Sequence, residues 1–81
     1  MSCKKYVEVT AQFDVDGTII PRVIQWDDGT KYEIDRILDI RPAASLKAGG
    51  AGIRYTCRIR GREKYLWLEE TRWFIEAKES D

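Results

Sequence analysis

Five cations, Arg54, Arg58, Arg60, Arg62 and Lys64, stand within eleven residues, and three aromatic side chains, Tyr65, Trp67 and Phe74, follow them. Cationic groups attract phosphates and rings stack on nucleobases, so cations interleaved with rings are what single-stranded nucleic-acid binding uses. The same residue types are enriched at protein interfaces, where Trp, Tyr and Arg act as anchors. Arg54, Arg58, Arg60, Tyr65, Trp67 and Phe74 are therefore the candidate binding surface. Catalysis finds little support beside it. The 81 residues include no histidine, which removes the usual Ser-His and Cys-His nucleophile pairs and the commonest metal ligand. Two cysteines 54 residues apart do not make a ligand set, and Asp27-Asp28, ahead of Gly29, reads as turn chemistry. Glu69 and Glu70, as strand neighbours, point to opposite faces. No acid, base and nucleophile can be named together, so neither enzyme activity, metal nor cofactor is expected.

Basic and acidic residues balance at 14 each, but not along the chain. Residues 1–40 carry −3, residues 41–64 carry +6 and residues 65–81 carry −3. Such segregation can mark an anion-binding face. The favoured reading is plainer: the basic run pairs with acidic neighbours such as Glu63 and Glu69. Neutral overall charge and the lack of a phosphate-binding loop then favour a protein partner or self-association over nucleic acid, with the basic 54–64 hairpin as the nucleic-acid alternative.

The elements that must position these groups read as strands. From Ile53 to Arg60 apolar and polar residues alternate, placing Ile53, Tyr55, Cys57 and Ile59 on one face. Gly61-Arg62 sits where a two-residue type II′ turn would fall, which sets Cys57 opposite Leu66 and Tyr55 opposite Leu68. Residues 4–15 alternate likewise, with Val7, Val9, Ala11, Phe13 and Val15 sharing a face. Asp16-Gly17 supplies a type I′ turn into a second strand over 18–26, whose Pro21 requires an edge or a bulge. Asp27-Asp28-Gly29 predicts a three-residue loop with Gly29 left-handed, bringing Ile24 opposite Tyr32. Tyr32, Ile34, Leu38 and Ile40 form a third strand, bulged near Asp35-Arg36. Residues 42–51 break the pattern: a helical turn and glycines suggest a flexible loop. Residues 72–77 form the last strand, with Trp73, Ile75 and Ala77 on one face.

Strands at this spacing, with tight turns and almost no helix, indicate an all-β domain, a small antiparallel five- or six-stranded barrel or rolled sheet. An SH3-like barrel is the first choice and the OB-fold the second. The run Pro21-Arg22-Val23-Ile24-Gln25-Trp26-Asp27-Asp28-Gly29-Thr30-Lys31-Tyr32-Glu33-Ile34-Asp35-Arg36-Ile37, with Trp73-Phe74 near the end, resembles short uncharacterised bacterial proteins that are small SH3-like barrel domains. The resemblance implies a fold and carries no activity.

One domain covers residues 1–81, with 1–4 and 78–81 frayed and the 42–51 loop flexible. The expected core is Val7, Val9, Phe13, Ile24, Tyr32, Ile34, Leu38, Tyr55, Cys57, Ile59, Leu66, Leu68, Trp73 and Ile75. Trp67, Tyr65 and Phe74 fall on the opposite, outer face beside Arg54 and Arg58, where they either meet a ligand or are covered by a strand, the 42–51 loop or another subunit. No apolar run is long enough for a membrane span and the first residues lack a signal-peptide core, so the expected address is the cytoplasm. Cys3 and Cys57 are expected as free thiols.

Overall fold

The alternating runs become strands, each antiparallel to its neighbours. The computed structural model describes residues 2–46 and 48–78. Its elements are β1 (Ser2–Phe13), β2 (Ile19–Gln25), β3 (Lys31–Glu33), β4 (Arg36–Ser45), β5 (Gly50–Ile59), β6 (Arg62–Glu69) and β7 (Arg72–Lys78). They form one seven-stranded sheet in the order β3-β2-β1-β7-β6-β5-β4. The sheet curls into a half-barrel, an up-and-down arrangement without the Greek-key crossing of an OB-fold, and holds no helix among the described residues. The class is the small antiparallel barrel or rolled sheet expected from the sequence, with seven strands in place of five or six.

The extra strand comes from a break in the expected third one. The Ile34 N–H donates to the Arg22 carbonyl of β2, while the Asp35 N–H donates to the Arg58 carbonyl of β5, each at 2.8 Å. The chain thus steps across the opening of the half-barrel within two residues, leaving β3 and β4 as its edges. The Asp35 carboxylate then accepts the Arg60 N–H at 3.0 Å, and the Tyr55 hydroxyl donates to the Ile19 carbonyl at 2.6 Å, so two further bonds tie the walls together.

Turn chemistry decides the registers. Gly29 is left-handed and Ile24 faces Tyr32, as the Asp27-Asp28-Gly29 spacing requires. The first hairpin differs from expectation. Only Gly17 has positive φ there, and the Asp14 N–H donates to the Thr18 carbonyl, so Val15, Asp16 and Gly17 make a three-residue loop instead of a type I′ pair. The central hairpin turns on Arg60 and Gly61, both at positive φ, which sets Tyr55 opposite Leu66 and Cys57 opposite Lys64. This is two residues away from the Gly61-Arg62 register, a slip that keeps every side chain on its expected face. Pro21 lies beside the register shift between Thr10 and Ala11, as a missing N–H demands.

Residues 42–51 are mostly strand, not loop: β4 continues through Pro42 to Ser45, and only four positions separate it from β5. Proline is tolerated because β4 is an edge. Residues 2–4 are not frayed either, since Ser2, Cys3 and Lys4 pair with Lys78, Ala77 and Glu76. The tail 79–81 and Lys47 lie outside the described residues.

On the concave side Ile24, Tyr55, Cys57, Leu66, Leu68 and Trp73 are buried together. Most of the expected core is in place, with two corrections. Phe13 is 76% exposed, because the β1–β2 hairpin runs on past the end of β3 and, among the described residues, no element packs against its tip. Leu38 is 37% exposed: it is the unpaired residue of a bulge between Ile37 and Asp39, and Ile37 takes the inner position instead.

Candidate functional site

Two of the three outer aromatic residues are covered. Trp67 and Phe74 are opposite one another on β6 and β7, and their rings stack at 5.3 Å with 3° between planes. Phe74 has no exposed surface and Trp67 only 2%. The cover is the far end of the β4–β5 hairpin, which bends over the outer face. Gly50 lies so close that a Cβ there would sit 2.7 Å from the Lys4 Cε and the Phe74 ring, and the Ser45 hydroxyl donates to Glu76 of β7 at 2.6 Å. Tyr6 closes the patch edge-on against Phe74. Its hydroxyl donates to Glu69 at 2.6 Å while the Lys4 ammonium donates to the other carboxylate oxygen at 3.0 Å. These bonds hold the Glu69 carboxyl below its ordinary pKa, Tyr6 first and Lys4 second.

Of the six candidate residues, therefore, Trp67 and Phe74 form a second core and cannot meet a ligand in this arrangement. Tyr65 is 46% exposed with the Arg54 guanidinium 4.5 Å from its ring centre. Arg58 is exposed on the same outer face, opposite Glu63. Arg60 lies apart from them at the hairpin turn, its guanidinium 4.7 Å from the centre of the Tyr32 ring. Of the expected pairing of the basic run with Glu63 and Glu69, the register sets Arg58 opposite Glu63 without an ion pair, and the pairing with Glu69 does not occur. Glu69 is taken by Lys4 and Arg72, and among the described residues no carboxylate lies within ion-pair distance of Arg54, Arg58, Arg60, Arg62 or Lys64.

A second feature was invisible in the alternation. The β6–β7 ladder spans only Trp67 to Glu69 against Arg72 to Phe74. Beyond it β6 follows β5 and β7 follows β1, and sheet twist carries the two apart. The gap opens into a cleft of about 910 Å³ with Cys57, Leu66 and Ile75 in its apolar floor and Arg62 and Lys64 along one wall. Among the described residues, 62–66 and 75–78 each pair on one side only, so two stretches of backbone donors and acceptors face this space. Trp26 and Tyr32 line the opposite wall, edge-to-face at 6.4 Å. Continued pairing would set Leu66 opposite Ile75 and Glu63 opposite Lys78, a well-matched ladder, so the sequence carries no warning of the divergence.

Cys57 sits in the cleft floor but is 1% exposed, and burial pushes its thiol up to about 11. Its contribution to stability is complete below about 9 and is lost as the pH rises towards 11, because the unfolded thiol ionises first. A thiol reagent should modify the half-buried Cys3 at least about tenfold faster than Cys57 under native conditions. Equal rates would contradict the placement. Among the described residues no group of three potential ligands is arranged to hold a metal ion, and no helix is long and apolar enough to cross a membrane. No protein-family model, curated protein or solved structure matches the chain.

Proposed function

We propose that the chain is a non-enzymatic binding module that takes a protein partner along a strand edge. The observation that supports this best is the early end of the β6–β7 ladder, which leaves unpaired backbone groups beside an apolar cleft. An unpaired edge is a template for another extended chain, whose main-chain bonds supply affinity while alternate side chains supply specificity. On the outer face, by contrast, Trp67 and Phe74 are spent on packing. Presenting the immobilised protein with a displayed library of random peptides and, separately, a pool of random single-stranded oligonucleotides tests the reading. Peptides should be enriched over oligonucleotides. Enrichment of oligonucleotides alone would overturn it.

A second reading has its own support. Arg58, Arg60, Arg62 and Lys64, which have no ion-pair partner among the described residues, could serve the phosphates of single-stranded nucleic acid. Its mark would be affinity falling steeply with salt, with a slope that Arg58→Glu flattens. The reading is the weaker one because the half-exposed rings are already engaged: Arg54 lies against Tyr65, Arg60 against Tyr32 and Lys5 against Trp26.

A further inference from the structure

We propose that the cleft between β6 and β7 accepts an extended peptide in which acidic and small polar residues alternate after an apolar one, added as a strand antiparallel to residues 62–66. The inference rests on the protein-binding reading above and names the partner's chemistry. Arg62, Lys64 and Leu66 project to the concave side, since they are the cross-strand partners of Ile59, Cys57 and Tyr55. Glu63 and Tyr65 project outward. A strand laid antiparallel on the free edge of β6 therefore brings its inward side chains beside Leu66, Lys64 and Arg62 in that order.

Charge complementarity specifies those side chains. Arg62 and Lys64 have no carboxylate within ion-pair distance among the described residues, so two acidic residues at alternate positions would find unopposed cations. An apolar residue at the first inward position, beside Leu66, reaches the floor formed with Cys57 and Ile75. The carboxylates already lining the cleft do not compete: Glu76 is bonded to Ser45, and Glu63 points to the other face opposite Arg58. Five extended residues span about 17 Å, the length of edge that residues 62–66 offer. A nucleic-acid strand would meet the same cations but has no repeating amide donors and acceptors to match a strand edge.

The probe is a blocked nine-residue peptide with Val-Thr-Glu-Thr-Glu at its centre and threonine elsewhere, titrated into the full chain. Saturable binding is expected, with slowed hydrogen exchange of the amides in residues 62–66. Replacing both glutamates with lysine should weaken binding about tenfold, and N-methylating alternate amides, with side chains unchanged, should also weaken it about tenfold. Arg62→Glu combined with Lys64→Glu should reverse the preference towards the lysine peptide, an outcome that a misfolded variant would not produce. Equal affinity for the N-methylated peptide at both methylation phases would overturn the strand-addition geometry. Protection confined to β4 would move the site and leave the protein-binding reading standing. Oligonucleotide binding with no peptide binding would remove both.

Discussion

Phe74→Ala should lower stability by about 3–5 kcal/mol, the range for truncating a fully buried aromatic ring. The ring touches elements that are remote in sequence: Trp67 stacks on it, Tyr6 meets it edge-on and Gly50 closes over it. Removing it leaves a cavity under the bent end of the β4–β5 hairpin, and a chain of 81 residues has little reserve. Phe13→Ala is the matched control. That ring lies in an alternating strand too, yet it is 76% exposed at a hairpin tip, so its loss should stay within about 0.5 kcal/mol. Urea midpoints for the two variants decide the matter. Similar costs, or a larger one at Phe13, would mean that the outer aromatic face is not covered as described.

The second large effect falls on Gly52. Here β5 passes directly over the end of β6, and a Cβ would stand 2.2 Å from the Leu68 carbonyl oxygen and 3.0 Å from its carbon. Both atoms are backbone, which cannot swing aside as a side-chain end would. Gly52→Ala should therefore cost about 2–3 kcal/mol through forced separation of the strands. The hairpin end should loosen with it, seen as new solvent exposure of Trp67 by fluorescence. Gly29→Ala makes a different comparison: its Cβ would meet open space, and only the left-handed backbone at φ +87 opposes it, worth about 1–2 kcal/mol. A Gly52→Ala variant as stable as the parent would contradict the close approach.

These two sites show what the sequence could and could not reveal. Period-two alternation assigned faces well: Tyr55, Cys57, Leu66 and Leu68 are buried together, because a side chain's face depends only on its parity along the strand. Register was harder. Glycine in the first central position of a type II′ turn points to Gly61-Arg62, yet Arg60 takes positive φ ahead of Gly61 and the pairing moves by two. The observed register places Arg58 opposite Glu63 and frees Glu69 for Lys4, Tyr6 and Arg72, contacts that lie outside any hairpin-local view. The spacing of Gly49, Gly50 and Gly52 suggests flexibility. Gly49 does sit in a turn at φ +80, but Gly50 and Gly52 mark places where another element presses too close for a Cβ. Cross-sheet proximity of that kind leaves no periodic trace.

The same limit applies to the candidate site. Composition alone identified a basic hairpin, and its cations do stand without ion-pair partners among the described residues. The rings expected beside them divide, Tyr65 staying half-exposed while Trp67 and Phe74 are enclosed. The cleft arises from twist accumulated over two ladders, so none of its lining residues is marked by local pattern.

Hydrogen exchange of the free protein tests the central claim, that β6 and β7 part beyond Trp67 and Phe74 and leave usable edges. In a strand paired on one side, successive amides point alternately towards the partner and towards the open side. Along residues 62–66 and 75–78, fast-exchanging amides should therefore alternate with slow ones, while residues 67–69 and 72–74 are slow throughout. Uniform protection across 62–66 and 75–78 would mean that the ladder is continuous and the cleft closed, and the account of this chain as a strand-edge binding module would fail.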